Sequence, residues 1–374
     1  MPVFLSSPLG RRSVRTRLRW VVGFGLLAGS IGGYAVEPLL AGADVSALTV
    51  FEQHGATYRD QKGPGDALVL LRKAGMDCFR LRLFVAPDGQ GIVTNDLAYT
   101  LALARRVKAS GAKLLLDLHY SDTWADPSKQ FKPAAWAAMP FDELVRSVGD
   151  YTREVLARFS REGLTPDFVQ IGNEITNGIL WPDGRVEFAE AKNPAAWDRL
   201  ARLLRAGIEA VPTGPGQPQV ILHIESTNSV EKSLWFFRQA QAAGLRWDII
   251  GVSYYPDWHG NIASLRATVN ALAESFQKPV LVVETSYPWK PDEHWQGRPN
   301  MAWALTPTGQ EQFLREVRDV VRAVPGGLGR GVIYWHPESI QVPGLTVWVG
   351  GSCALFDDHG RLLPAAQFDH FARQ

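Results

Sequence analysis

From about Leu39 onward the chain alternates short, almost continuous apolar runs with longer segments whose apolar residues recur at helical spacing. The runs are LLAGADVS, CFRLRLF, KLLLDLHY, FVQIGNEI, QVILHIES, DIIGVSYY, PVLVVETS and GRGVIYWH. Between them lie amphipathic patterns such as GDALVLLRKAG, DLAYTLALARRVKASG, FDELVRSVGDYTREVLARF and GQEQFLREVRDVVRAV. Several of the helical segments end at a glycine (Gly75, Gly111, Gly163, Gly244), where a left-handed cap is sterically free. Strands that are apolar on both faces belong to a parallel sheet covered by helices. Eight strand–helix units without a second composition regime predict an α/β chain folded as one closed (β/α)8 barrel. No Pro/Ser-rich linker or low-complexity tract divides it, and TGPGQP (Thr213–Pro218) is only loop-sized.

The ends of these runs break the apolar pattern. Their last residues are Asp44 and Ser46, Arg80 and Arg82, Asp117 and His119, Asn173 and Glu174, His223 and Glu225, Ser253 and Tyr255, Glu284, and finally Trp335 and His336. The carboxyl ends of barrel strands line the face where such barrels keep their active sites. The stretch VQIGNEITNG (Val169–Gly178) carries an apolar strand straight into Glu174, a group costly to desolvate unless it is paired or used. Glu284 ends the seventh run as Glu174 ends the fourth, so the two carboxyls can meet across the barrel mouth. Two carboxyls at one site cannot both ionise easily, and their pKa values separate. Retaining glycoside hydrolysis needs that division, with the groups roughly 5 to 5.5 Å apart. Glu174 is expected as acid/base and Glu284 as nucleophile. Asn173 is placed to bond a sugar 2-hydroxyl, and Arg80 and Tyr255 to hold Glu284 ionised. Strand parity turns Tyr255 inward with Ser253 and Tyr254 outward, and pairs Asp117 with His119 and His223 with Glu225 on common faces. No HExxH, CxxC or EF-hand spacing occurs, so no catalytic metal is expected.

Composition agrees with this picture. Apolar residues make up 46 %, enough for a large core, and a net charge of +1 gives no general pull toward nucleic acid or an anionic membrane. Thirteen Trp exceed ordinary structural need and fit a cleft that stacks sugar rings. Two cysteines, Cys78 and Cys353, permit one bridge without implying it. Basic residues crowd the front, where RRSVRTRLRW precedes the short apolar run VVGFGLLAGSIGGYAV. A charged region, a brief apolar stretch and small residues near Gly33–Ala35 read as an export signal over residues 1–36, with an uncleaved anchor as the alternative. Arg11–Arg12 match a twin-arginine signal only weakly. The catalytic domain is then residues 37–374, exported to the periplasm or medium and without stable membrane association once the signal is removed.

Taken in order, GADVS, RLRLF, LLLDLHYSDTWADPSKQFKPAAW, VQIGNEITNGILWPDG, GVSYYPDWHG, VVETSYPW, TPTGQ and YWHP resemble glycoside hydrolase family 53, the arabinogalactan endo-β-1,4-galactanases. The resemblance covers about residues 40 to 365. It implies retaining cleavage inside β-1,4-galactan of pectic side chains by a monomer without cofactor, with Glu174 as proton donor and Glu284 as nucleophile. It places Trp124, Trp181 and Trp258 along the sugar groove, in company with Arg80, Asp117, His119, Asn173, His223, Tyr255 and Trp335. Some bacterial members bind calcium in the loop after strand seven; the matching segment YPWKPDEHWQGRPNMAW lacks a dense run of oxygen ligands, so no calcium is expected. Three departures fall along the rim. YWHP puts His336 where the family pattern has Glu, VWVGGSC replaces a Trp-Gly-Asn type segment, and ESTN follows strand five where an Asp is usual. They keep open a related barrel hydrolase acting on another β-linked glycan or on short galacto-oligosaccharides. A non-catalytic sugar-binding barrel is the alternative of a different class, against which the presence of both glutamates, Asn173 and Arg80 counts.

Overall fold

A computed structural model describes residues 38–188 and 193–367. The expected export signal, residues 1–36, lies outside the described residues. The eight apolar runs form eight strands: β1 (Leu40–Asp44), β2 (Cys78–Leu83), β3 (Lys113–Leu118), β4 (Phe168–Ile171), β5 (Gln219–Ile224), β6 (Ile249–Tyr254), β7 (Val280–Thr285) and β8 (Gly329–Trp335). Each pairs in parallel with its sequence neighbours, and β1 closes the ring on β8, as the alternation predicts. Among the described residues an α-helix of seven or more residues follows each of β1 to β7: α1 (Ala67–Lys73), α2 (Leu97–Ala109), α3 (Phe141–Arg161), α4 (Pro194–Glu209), α5 (Val230–Ala242), α6 (Ile262–Phe276) and α7 (Pro307–Arg322), with shorter helices at Leu48–Gln53 before α1 and Pro256–His259 before α6.

Side-chain oxygens that take the first free backbone N–H groups start most of these helices, namely Asp66, Asp96, Asn193, Ser229, Asn261 and Thr306. The four predicted glycines end α1, α2, α3 and α5 with positive φ. On α3, Leu144, Val148, Thr152, Val155, Leu156 and Phe159 recur at helical spacing and form the buried face against the sheet. After β8 the described residues carry only short 3₁₀ turns. Pro337, Pro343, Gly344, Gly350 and Gly351 interrupt any helical period there, and Trp348 from this segment lines the cleft.

The barrel interior is filled in layers. Leu40, Cys78, Leu115, Phe168, Ile221, Ile249, Leu281, Val283 and Ile333 form an apolar floor separate from the larger core between sheet and helices. Gly42 lets β1 pass through this floor, since a Cβ there would lie 2.4 Å from the Ile333 side chain and 2.5 Å from the Cys78 carbonyl oxygen. Cys78 belongs to the floor and Cys353 to the loop after β8; both are buried and free, so the permitted bridge is not made. No helix among the described residues is long and apolar enough to cross a membrane.

Candidate active site

Two backbone irregularities deliver the glutamates. Beyond β4 the chain turns sharply: Gly172 has φ 77° and Glu174 itself sits in the left-handed region at φ 49°, ψ 54°. A Cβ at Gly172 would lie 2.6 Å from Ile175, so glycine is required there for space as well as for its φ. For a glutamate that conformation costs about 1–3 kcal/mol and persists only because the surroundings hold it. Gln130 is one of the holders, donating from Nε2 to the Asn173 carbonyl at 2.8 Å. On β7 the problem is parity. Leu281 and Val283 face the floor while Val282 faces the helices, so strict alternation would turn Glu284 away from the lumen. A bulge prevents this: Val252 pairs with Val282 but Ser253 pairs with Glu284, and β8 likewise shifts between Val332 and Tyr334. The extra residue returns Glu284 to the inside.

Arg80 organises the Glu284 side. Its guanidinium, 1 % exposed, reaches Asp44 Oδ2 at 2.7 Å, Asp117 Oδ2 at 2.8 Å and Glu284 Oε1 at 2.8 Å. It also donates to Asn173 Oδ1 at 2.8 Å and, from Nε, to Gln170 Oε1 at 3.3 Å. Burial disfavours its charge, but Asp117, Glu284 and Asp44 together raise its pKa above the ordinary value, so it stays cationic. Tyr255 donates to Glu284 Oε2 at 3.0 Å, and burial followed by the nearby Glu284 and Glu174 keeps the phenol protonated. Burial pushes the Glu284 carboxyl up, with Arg80 pulling strongly the other way.

Among the described residues no cation pairs with Glu174. Its Oε1 lies 2.6 Å from Ser253 Oγ, which is 2.8 Å from His223 Nε2. Burial first, then Glu284 and Glu225, hold its pKa well above the usual carboxylate range. Both carboxyls are thus raised, Glu174 further than Glu284, which alone of the two has a cation against it. Glu225 is itself buried, accepts from Thr176 Oγ1 at 2.6 Å and lies 3.7 Å from Lys232 Nζ. Burial lowers His223 well below the ordinary histidine range, helped by Arg80, so the ring is neutral.

These groups open into a cleft of about 650 Å³ at the carboxyl ends of the strands. Of the residues singled out from the sequence, Glu174, Glu284, Arg80, His119, Trp124, Asn173, Tyr255, Trp258 and Trp335 line it. Asp117 and His223 lie beneath, fully buried; Asp117 reaches the cleft through Arg80 and His119, and His223 through Asn173 and, by way of Ser253, Glu174. Trp181 does not line it: its Nε1 donates to the Asn177 carbonyl at 2.9 Å and Arg185 lies 4.7 Å over its ring. Tyr254 turns outward onto Phe313 while Ser253 and Tyr255 turn inward, as parity predicts.

Several cleft residues were not singled out beforehand. Trp348, 38 % exposed, comes from the loop after β8 and packs edge-on against Trp335 at 5.1 Å. Asp126 and Lys129 come from the loop after β3, and Asp257 and His259 from the short helix Pro256–His259 after β6, none of them at a strand end. Arg82, noted only as a strand end, lies 4.1 Å over the Trp124 ring and 3.0 Å from His336 Nε2. Gln170 had a legible signal, a lone amide inside the apolar run FVQI; it donates to Asp117 Oδ1 at 2.7 Å. The departing His336 is buried under the rim, its pKa lowered to about 3 by burial and Arg82, so it stands neutral where the family pattern has an acid. Among the described residues no group of three or more His, Cys, Asp or Glu could hold a metal ion.

The chain is similar to known proteins over most of its length. A Niallia circulans protein, "Uncharacterized protein in bgaB 5'region", is 41 % identical over 343 residues, 87 % of this chain and 92 % of its own. The arabinogalactan endo-beta-1,4-galactanase of Cellvibrio japonicus is 36 % identical over 329 residues, 84 % of each chain. Among solved structures, the Ignisphaera aggregans GH53 catalytic domain superposes with a TM-score of 0.81 at 32 % identity, covering 92 % of this chain and 98 % of that one. With residues 40–368 matching the family described as Glycosyl hydrolase family 53, the chain belongs to that family.

Proposed function

We propose that the protein is a retaining endo-β-1,4-galactanase acting on galactan and type I arabinogalactan, with Glu284 as nucleophile and Glu174 as acid/base. The observation that carries this reading is the opposite provision for two carboxyls in one cleft: Arg80 and Tyr255 on Glu284, an uncharged serine on Glu174. In the first step the Glu284 carboxylate bonds to the anomeric carbon as the glycosidic C–O bond breaks, and the Glu174 proton passes to the departing oxygen. In the second, Glu174 takes a proton from water, whose oxygen attacks the same carbon and releases Glu284. Two inversions leave the configuration retained. Asn173, whose Oδ1 is committed to Arg80 and one Nδ2 proton to the Ala125 carbonyl, has its second Nδ2 proton to donate to the sugar 2-hydroxyl. Trp124, Trp335, Trp348 and Trp258 supply flat apolar walls for the pyranose faces.

The Cellvibrio japonicus and fungal relatives named as galactanases support β-1,4-galactan as substrate. Purified protein on linear potato galactan should yield a ladder of short oligomers, with mannan, xylan and cellulose untouched. Galactose as the first product would remove the endo assignment, and binding without cleavage would make the protein a lectin-like barrel. Residues 1–36 are read as an export signal; N-terminal sequencing of the mature protein from periplasm or medium tests that reading.

A further inference from the structure

The hydroxyl between Glu174 and His223 has one proton and two neighbours that could take it. Which neighbour receives it follows from the far end of the chain. Asn173 Oδ1 accepts from Arg80 at 2.8 Å and from Gln170 Nε2 at 3.2 Å, while Asn173 Nδ2 donates to the Ala125 carbonyl at 2.9 Å. These partners fix the amide, so the atom 3.0 Å from His223 Nδ1 is an oxygen, and an acceptor there calls for a proton on Nδ1. The Glu174 backbone N–H also points at Nδ1, but at 3.4 Å it makes the weaker contact. A neutral imidazole carries a single N–H, which leaves Nε2 bare and aimed at Ser253 Oγ 2.8 Å away. The Ser253 proton then belongs to Nε2, and the serine turns a lone pair toward Glu174 Oε1 at 2.6 Å.

We propose that His223 and Ser253 are positioning residues that select the protonated form of Glu174 in the free enzyme. The donors run in one direction, Glu174 carboxyl to Ser253 Oγ, and Ser253 hydroxyl to His223 Nε2, with His223 Nδ1–H closing on Asn173. Only a protonated carboxyl completes the chain. When Glu174 has given its proton to a leaving oxygen, the serine hydroxyl must rotate to face the carboxylate and release His223; the proton taken from water in the second step restores the resting order. The inference rests on the reading of Glu174 as acid/base. Other charged groups facing these residues act alongside the chain. Glu284 from β7, Glu225 from β5 and Asp126 from the loop after β3 bear on Glu174; Arg80 from β2, His119 beyond β3 and His259 after β6 bear on His223.

The test is the alkaline limb of kcat/KM on linear galactan, which reports the free enzyme. Ser253→Ala removes the acceptor from the protonated acid, so the limb should move down by roughly 0.5 to 1 pH unit. An upward move means that the hydroxyl donates to the carboxylate, and no move means that it is idle; either overturns the proposal. A second readout needs neither activity nor a serine variant. Nitrogen NMR of the isotope-labelled wild type at neutral pH, with His223→Gln to assign the signal among eight histidines, should show Nδ1 protonated and Nε2 bare. An Nε2–H tautomer would refute the chain with the acid/base reading intact. Galactan hydrolysis that survives Glu174→Gln would instead sink the acid/base reading while the tautomer result stood.

Discussion

The two walls of the cleft treat identical side chains in opposite ways. On the β7 side Glu284 touches a guanidinium and a phenol O–H, both strong donors to an anion. On the β4 side Glu174 touches a serine shared with a neutral histidine, and the nearest charges are Glu284 and Glu225. Both carboxyls are removed from bulk water, so desolvation raises both; partner charge separates them. Backbone geometry differs too, a bulge on one wall and a left-handed residue on the other. A division of labour between two glutamates is thus a property of their neighbours, and each neighbour can be removed.

Removing the groups themselves has the largest effect. Glu284→Ala should lower galactan hydrolysis by about 10⁴-fold or more while oligosaccharide binding, followed by calorimetry, survives. Loss of binding together with turnover would point to a structural role instead. Glu174→Gln should lower kcat/KM on galactan by roughly 10² to 10⁴-fold but spare a β-galactoside with a dinitrophenyl leaving group, which needs no proton. Equal losses on both substrates would erase the contrast between the walls.

Arg80→Met strips the cation from three buried carboxylates, and a destabilisation of about 3–5 kcal/mol in urea unfolding is expected. A change below about 1 kcal/mol would show that Asp44 and Asp117 are not bound to it in solution. Tyr255→Phe deletes one donor to the Glu284 anion and should cost roughly 10 to 100-fold in kcat/KM. It should also move the acid limb to higher pH, because a carboxylate without that donor protonates more readily. Smallest is Glu225→Gln. Burial raises the Glu225 carboxyl, and where it is ionised its loss relieves Glu174 of a like charge, moving the alkaline limb down by a few tenths of a unit at most. An upward shift would contradict the electrostatic account of the β4 wall.

Much of this was legible along the chain. The eight runs became the eight strands, and polar strand ends located the face of the barrel that carries the cleft. The Asn173–Glu174 pair stood out because an apolar strand rarely ends so abruptly in an acid, but the left-handed turn at Gly172 and Glu174 did not. Other features were silent. Trp181 and Trp348 are both loop tryptophans, and only packing decides that Arg185 overlies the first while the second joins the cleft. Nothing in VLVVETS announces the bulge, since a run of β-branched residues reads the same with or without an extra residue in the ladder.

Local periodicity alone therefore determined the barrel, because alternation of apolar runs and helical stripes leaves a parallel closed sheet as the way to bury both, and the polar residues that break the runs put Glu174 and Glu284 at strand ends on one face. Which acid holds a proton was decided only by the tertiary structure. That depends on Asp44, Arg80 and Asp117 converging from β1, β2 and β3 with Tyr255 from the end of β6 within 3 Å contacts, and on Ser253 from β6 and His223 from β5 lining up beside Glu174. Coulomb and hydrogen-bond energies fall off over a few ångströms, so residues scattered over more than two hundred positions set a pKa only once the fold brings them together.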